Sequence, residues 1–153
     1  RRRVPAVAMH LRGSFSGMHT RPGYHDVMGE IVAELRESLA RAEAAGVQGR
    51  HLLVDPGLGF AKDAAHSLEA LARLPELQVL DRPILVGPSR KSFLGKLLEL
   101  PAGERLFGTA AAVAACVLAG AHVVRVHDVQ EMLQVAKVCD AVLSAAPVLA
   151  VRP

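Results

Sequence analysis

Four apolar runs, VPAVAMH, HLLVDPG, RPILVGPS and HVVRVHD, start a few tens of residues apart along the chain. Each is followed by a turn rich in glycine or polar residues, and then by a helix-like stretch. Near-continuous apolar runs with helices between them are the pattern of parallel strands covered on both faces. The chain is therefore expected to be α/β, with four consecutive βα units forming a single domain over residues 1–153.

Apolar spacing predicts the helices. The first spans Tyr24 to Ala45, with Ile31, Leu35, Leu39 and Ala42 on one stripe and Gly46 as its stop. The second runs roughly from Ala64 to Leu74, with Leu68, Leu71 and Leu74 facing inward and Pro75 just past its end. After a longer connection comes an alanine-rich helix from about Glu104 to Ala119, whose small side chains suit close packing on several sides. A last helix is expected from about Val129 to Ser144.

Composition narrows the function classes. The chain is 51% hydrophobic and 22% charged, as expected of a soluble domain. The formal charge of +3 is mild, and aromatics are only 3%, which leaves little for nucleic-acid bases to stack on. No nucleic-acid partner is expected. The longest apolar run, Ala110 to Ala119, is too short to span a bilayer, so no membrane partner is expected either. Cys116 and Cys139 lie far apart without C-x-x-C spacing and read as buried free thiols. With no signal peptide visible, the expected location is cytoplasmic.

The polar residues cluster where the strands end. Met9 and His10 end the first run, Asp55 the second; Ser89, Arg90 and Lys91 follow the third; Arg125, His127 and Asp128 end the fourth. In parallel α/β folds, ligands bind at the carboxyl ends of strands. Val123, Val124 and Val126 read as a buried strand, and alternation puts Arg125 and His127 on one face of it. That face is either an exposed edge or an anion site. Asp55 either forms the turn into Pro56-Gly57 or looks inward with Leu53. Lys91 is either a solvated loop residue or a site cation. His10, His19, His25, His51 and His66 lack ligand-like spacing and are taken as structural or surface residues.

Backbone phosphate cradles are absent from the sequence. GLGFAK carries Lys62 where a dinucleotide fingerprint needs its third glycine, and GPSRKS lacks the P-loop spacing. Anion binding would rest on Arg, Lys and His side chains. One acceptor carboxylate among several cations suggests a two-ended ligand, an N–H-rich heterocycle joined to an anion.

LLVDPGLGFAKD, ILVGPSRKSFLG and GAHVVRVHDV resemble three motifs of the dihydropteroate synthase family in the same order and spacing, and VAMHLRG resembles its M-H-x-x-G strand end. The loop SFSGMH departs from the family pattern, which has a proline near Phe15 and a threonine near Gly17. The resemblance implies a (β/α)8 barrel that condenses 6-hydroxymethyl-dihydropterin pyrophosphate with p-aminobenzoate and releases pyrophosphate with Mg2+ assistance. It implies that Asp55 accepts hydrogen bonds from the pterin, that Lys91 bonds its far edge, and that Met9 walls it. Arg125 would stack over the ring and, with His127, meet the pyrophosphate; Ser89 and Phe60 would line the p-aminobenzoate pocket. Lys91, Arg125 and His127 are thus the expected catalytic residues.

These units resemble the second half of that barrel, so the chain, which begins with arginine, is expected to be part of a longer protein. The family's Mg2+ ligand and two further pterin or phosphate contacts belong to the first half, so no metal ligand is expected in this chain. A homodimer through the last helices is implied. Two alternatives stand beside this reading. One is a pterin-dependent methyltransferase domain, and the other is a half-barrel that binds ligand without turnover.

Overall fold

The computed structural model describes residues 4–13 and 23–145. The loop SFSGMH with His19 lies outside the described residues. The strands are β1 (Ala6–Met9), β2 (Leu52–Asp55), β3 (Leu85–Val86) and β4 (Val123–Val124). The helices are α1 (Val27–Ala44), α2 (Ala64–Ala72), α3 (Ser92–Leu98), α4 (Leu106–Leu118) and α5 (Val129–Ala145). β1 pairs with β2 and β3 with β4, both parallel. A single parallel bridge between Val54 and Ile84 links the two pairs, giving the spatial order β1-β2-β3-β4. The expected alternation of strand and helix is therefore observed.

α1 turns Val27, Met28, Ile31, Leu35 and Leu39 into the core. Each such burial contributes about 1.5–3 kcal/mol. The helix starts later than the apolar stripe suggests. The Glu30 carboxylate accepts the backbone N–H groups of His25 (2.7 Å) and Asp26 (2.9 Å), which anchors the first turn there. Gly46, at φ +89°, ends it: the Gly46 N–H bonds the Glu43 carbonyl and the Val47 N–H bonds the Ala42 carbonyl.

Three expectations change. Leu68 points outward, and α2 instead faces the core with Ser67 and Ala70, followed by Leu74 in the next turn. The rotation has a polar cause. The Ser67 hydroxyl donates to the Asp63 carbonyl (2.7 Å) and accepts the Gly59 N–H (3.2 Å), so this face must meet the preceding turn. The longer connection expected after β3, in which the sequence places no helix, contains α3, which buries Phe93 and Leu94. β4 is not a buried strand: Val123 is 41% exposed, because β4 pairs only with β3 and no described strand covers its other side. Cys116 and Cys139 are buried free thiols, as expected.

β1 likewise has one partner among the described strands, and Val4 before it and Val7 within it are exposed. α5 exposes Val129, Leu133, Val138 and Val142. Unpaired edges with apolar flanks template association. The 153-residue chain alone is therefore expected to be oligomeric or poorly soluble. Sedimentation velocity at micromolar concentration checks this, and a monodisperse monomer would contradict it.

Candidate functional site at the carboxyl ends of the strands

The β1–β2 register sets Met9 beside Asp55 at the strand ends, and the His10 N–H continues the ladder onto the Asp55 carbonyl at 2.9 Å. On the other side, the Arg125 N–H bonds the Val86 carbonyl at 2.9 Å. All four strands therefore end at one rim. There Met9, Asp55, Gly57, Leu58, Phe60, Gly87, Lys91 and Arg125 line a cleft of about 280 Å³. Five of the seven residues expected at the site, Met9, Asp55, Phe60, Lys91 and Arg125, come together in it.

Asp55 is 8% exposed. Its Oδ1 accepts the Gly57 N–H at 2.7 Å, the turn contact expected of Asp before Pro-Gly. Its carboxylate also faces the cleft, so both roles proposed for it are filled at once. Burial pushes its proton affinity above the ordinary carboxylate range, against the pull of Lys91, Lys62 and Arg125. Lys91 is held with Nζ 4.0 Å from the centroid of the Phe60 ring. Burial lowers its pKa, partly opposed by Asp55.

Ser89 and His127 do not line the cleft; they bond each other. The Ser89 hydroxyl lies 2.9 Å from His127 Nδ1 and accepts the His127 N–H at 3.2 Å. The loops that carry them are tied a second time, because the Arg90 guanidinium forms an ion pair with Asp128. Arg90 itself sits at φ +57°, a left-handed conformation that a non-glycine residue adopts at a cost of roughly 1–2 kcal/mol. Its N–H is taken by Thr109 Oγ1 (3.1 Å), and Arg105 donates to the carbonyls of Arg90 (2.9 Å), Lys91 (3.2 Å) and Leu100 (2.8 Å).

A buried polar chain behind the cleft was not expected from the sequence. Lys62 is 9% exposed and His10 is 3% exposed. Lys62 Nζ lies 2.8 Å from His10 Nδ1, and His10 Nε2 lies 3.0 Å from Glu34 Oε2. Arg12 pairs with Glu34 and Glu30 and lies over the Tyr24 ring. The signal that could have found it is a lysine within the apolar and glycine-rich GLGFAK, where a solvated side chain has little reason to be.

His10 titrates abnormally. Burial, aided by the Lys62 charge, lowers its pKa from 6.5 to about 4. Between those values the unfolded chain holds the extra proton, so stability rises with pH across this window. The gain is expected to be on the order of 2–3 kcal/mol from about pH 4 to about pH 6.5. Urea unfolding at both ends of the window should show it, and a His10→Gln variant should lack that share of the slope.

The chain is similar to known proteins over nearly its whole length. The dihydropteroate synthase of Escherichia coli (strain K12) is 42% identical, with the match covering 93% of this chain and 50% of that protein. A crystal structure of Yersinia pestis dihydropteroate synthase with a sulfonamide drug complex is 38% identical, with a TM-score of 0.91 over 94% of this chain and 53% of that one. Xanthomonas albilineans dihydropteroate synthase with 4-aminobenzoic acid is 40% identical, with a TM-score of 0.86 over 95% of this chain and 51% of that one. The chain spans about half the length of the curated relatives it matches. Its four βα units are accordingly a partial (β/α)8 barrel. The model of the pterin binding enzyme family matches residues 1–127, and the chain belongs to that family.

Proposed function

We propose that this chain supplies the pterin-holding part of a dihydropteroate synthase, which condenses 6-hydroxymethyl-7,8-dihydropterin pyrophosphate with p-aminobenzoate. The observation that carries the reading is one cleft lined by a buried carboxylate, Asp55, and two cations, Lys91 and Arg125. Such a site suits a flat heterocycle with N–H donors at one edge and an anion at the other end. Asp55 accepts the donors of the pterin's amino-pyrimidine edge. Lys91 bonds the opposite edge. Met9 walls the ring, and Arg125 lies over it and meets the pyrophosphate. The absence of a side chain at Gly87, on the cleft floor beside Arg125, leaves room for the ring.

His127 joins Arg125 at the anion. With the Ser89 hydroxyl donating to Nδ1, the Nε2–H is left to donate outward. Ser89 then serves p-aminobenzoate only indirectly, by orienting His127 and the loop before Lys91, while Phe60 offers the ring wall. In the reaction the methylene–oxygen bond breaks, pyrophosphate leaves with the electron pair, and the arylamine nitrogen forms the new bond and loses a proton. Arg125, His127 and Lys91 stabilise the leaving charge, so the main contributions are electrostatics and positioning.

Mg2+, which the family resemblance implies, would neutralise the same leaving group. The described residues contain no group of three or more His, Cys, Asp or Glu able to hold a metal ion. A homodimer through the last helices fits the apolar residues that α4 and α5 leave exposed, Phe107 and Leu118 among them. No helix among the described residues is long and apolar enough to cross a membrane, and a cytoplasmic location fits folate synthesis.

Two outcomes test the reading in the protein that carries the complete barrel. Asp55→Asn should weaken pterin binding by about 1.5–3 kcal/mol in calorimetry, because the ligand's N–H groups lose a charged acceptor. Unchanged affinity would reduce Asp55 to a turn residue. Arg125→Ala and His127→Ala should weaken pyrophosphate more than p-aminobenzoate; equal losses for both ligands would remove the anion assignment.

A further inference from the structure

We propose that Lys62 is a positioning residue of this site, fixing Asp55 and Phe60 in the cleft through the turn between them. The inference rests on the pterin reading for its ligand, but its geometry stands apart from it. The turn after β2 winds through three left-handed residues, Gly57 (φ +67°), Gly59 (φ +75°) and Ala61 (φ +49°). Such a path throws carbonyls to one side. The Lys62 ammonium collects two of them, Gly57 O and Phe60 O, each at 3.2 Å. Its third donor meets His10 Nδ1 at 2.8 Å.

Each contact leads to a cleft residue. Gly57 is the residue whose N–H fixes Asp55 Oδ1, and a side chain there would collide with the His10 carbonyl. Phe60 is the ring beneath Lys91 Nζ. One buried ammonium therefore sets the orientation of the carboxylate and the height of the aromatic wall. His10 gives it direction. With Nδ1 accepting from Lys62, the ring proton lies on Nε2 and donates to Glu34, whose charge Arg12 holds. The relay cannot reverse without setting a proton-free Nε2 against a carboxylate.

Three donors are needed and an uncharged amine has two. Burial brings the Lys62 pKa from 10.5 down to about 7, against the opposing charges of Asp55 and Glu34. Deprotonation turns a lone pair towards His10 and loosens the turn. The charged and titratable groups around it among the described residues are Asp55 on β2, His10 after β1, Glu34 on α1, Arg12, Lys91 before α3, and Tyr24 before α1, whose ring centroid lies 5.9 Å from Nζ and whose hydroxyl burial pushes up to about 12, above this step. His10 titrates near 4, well below this step, and Lys91 is the one other lysine that faces it among the described residues.

The experiment measures pterin affinity, with pteroic acid as probe, in the protein carrying the complete barrel and its Lys62→Met and Lys62→Arg variants across neutral to alkaline pH. Lys62→Met is expected to lose on the order of tenfold to a hundredfold in affinity. In the unsubstituted protein, affinity should fall as Lys62 loses its proton, followed by nitrogen NMR of its ammonium. That step should vanish in Lys62→Arg, which does not titrate; a step of the same size that persists there comes from Lys91 or from the pterin's own ring N–H, and overturns the assignment to Lys62. A lowered melting temperature with affinity unchanged within about twofold in Lys62→Met would overturn the proposal, since a structural filler alone would behave so. If Lys62→Met does not fold, a flat affinity through the Lys62 titration of the unsubstituted protein overturns it. If the unsubstituted protein binds no pteroic acid, the pterin reading fails. Lys62 is then judged by hydrogen exchange of the Gly57 amide, which should quicken at least tenfold in Lys62→Met or through the Lys62 titration; unchanged exchange overturns the proposal.

Discussion

The register of the β1–β2 pair is the constraint on which the rim depends. Met9 lies opposite Asp55, so the two strands end level, and the His10 N–H extends the ladder by one bond. A slip of one residue would turn Asp55 to the opposite face and its neighbour Val54 into the cleft. The Val54–Ile84 bridge carries the alignment to β3, and the Arg125 N–H on the Val86 carbonyl carries it to β4. Backbone pairing alone thus brings side chains from all parts of the chain to one level. The glycines complete it: Gly57 packs directly against the His10 carbonyl, which only a residue without Cβ permits at φ +67°.

The electrostatics of the rim follow from that crowding. Asp55 is shifted towards its neutral form, and so are Lys62 and Lys91, each chiefly by burial. Opposite charges stand nearby, yet no ion pair closes between Asp55 and these cations among the described residues. Asp55 bonds the Gly57 N–H instead, and the Lys91 ammonium lies over the Phe60 ring. A ligand that brings N–H donors to the carboxylate and negative charge to the cations replaces water on both sides. Lys62 differs from Lys91 in having its donors already occupied, which is why it acts on the cleft from behind.

Much of this was legible in the sequence because parallel strands are read from apolar runs and their polar ends from position. Asp55 ends one such run, Lys91 follows the next after a short turn and Arg125 stands just past the last strand, and they meet in the cleft. Leucine spacing turns Leu68 inward but says nothing about Ser67, whose hydroxyl binds both Asp63 and Gly59 and turns α2 the other way. Three valines suggest a buried β4, but they do not reveal whether a neighbouring strand covers them. The Lys62–His10–Glu34 chain joins a residue just past β1, one on α1 and one in the turn after β2, and no local pattern links them. Ser89 and His127 were both singled out, but their bond to each other depends on how far the β3 and β4 loops approach.

That approach is enforced from the helices as well as the strands. Arg90 adopts a left-handed conformation, and its neighbours offset the strain: Thr109 of α4 takes its N–H, Arg105 takes its carbonyl, and Asp128 takes its guanidinium. Arg105 also takes the Lys91 carbonyl, so the residue before α4 fixes the backbone that aims Lys91. Gly95 is required on the same account, because a side chain there would occupy the Arg105 guanidinium's space. The cleft therefore has two supports of different kinds. On the β2 side a lysine gathers carbonyls from a turn of left-handed residues. On the β3 side an arginine does the same for one left-handed residue and the lysine after it. In both cases a cation, buried at Lys62 and half-buried at Arg105, binds backbone rather than a carboxylate, which leaves Asp55 unpaired by either and available to a ligand.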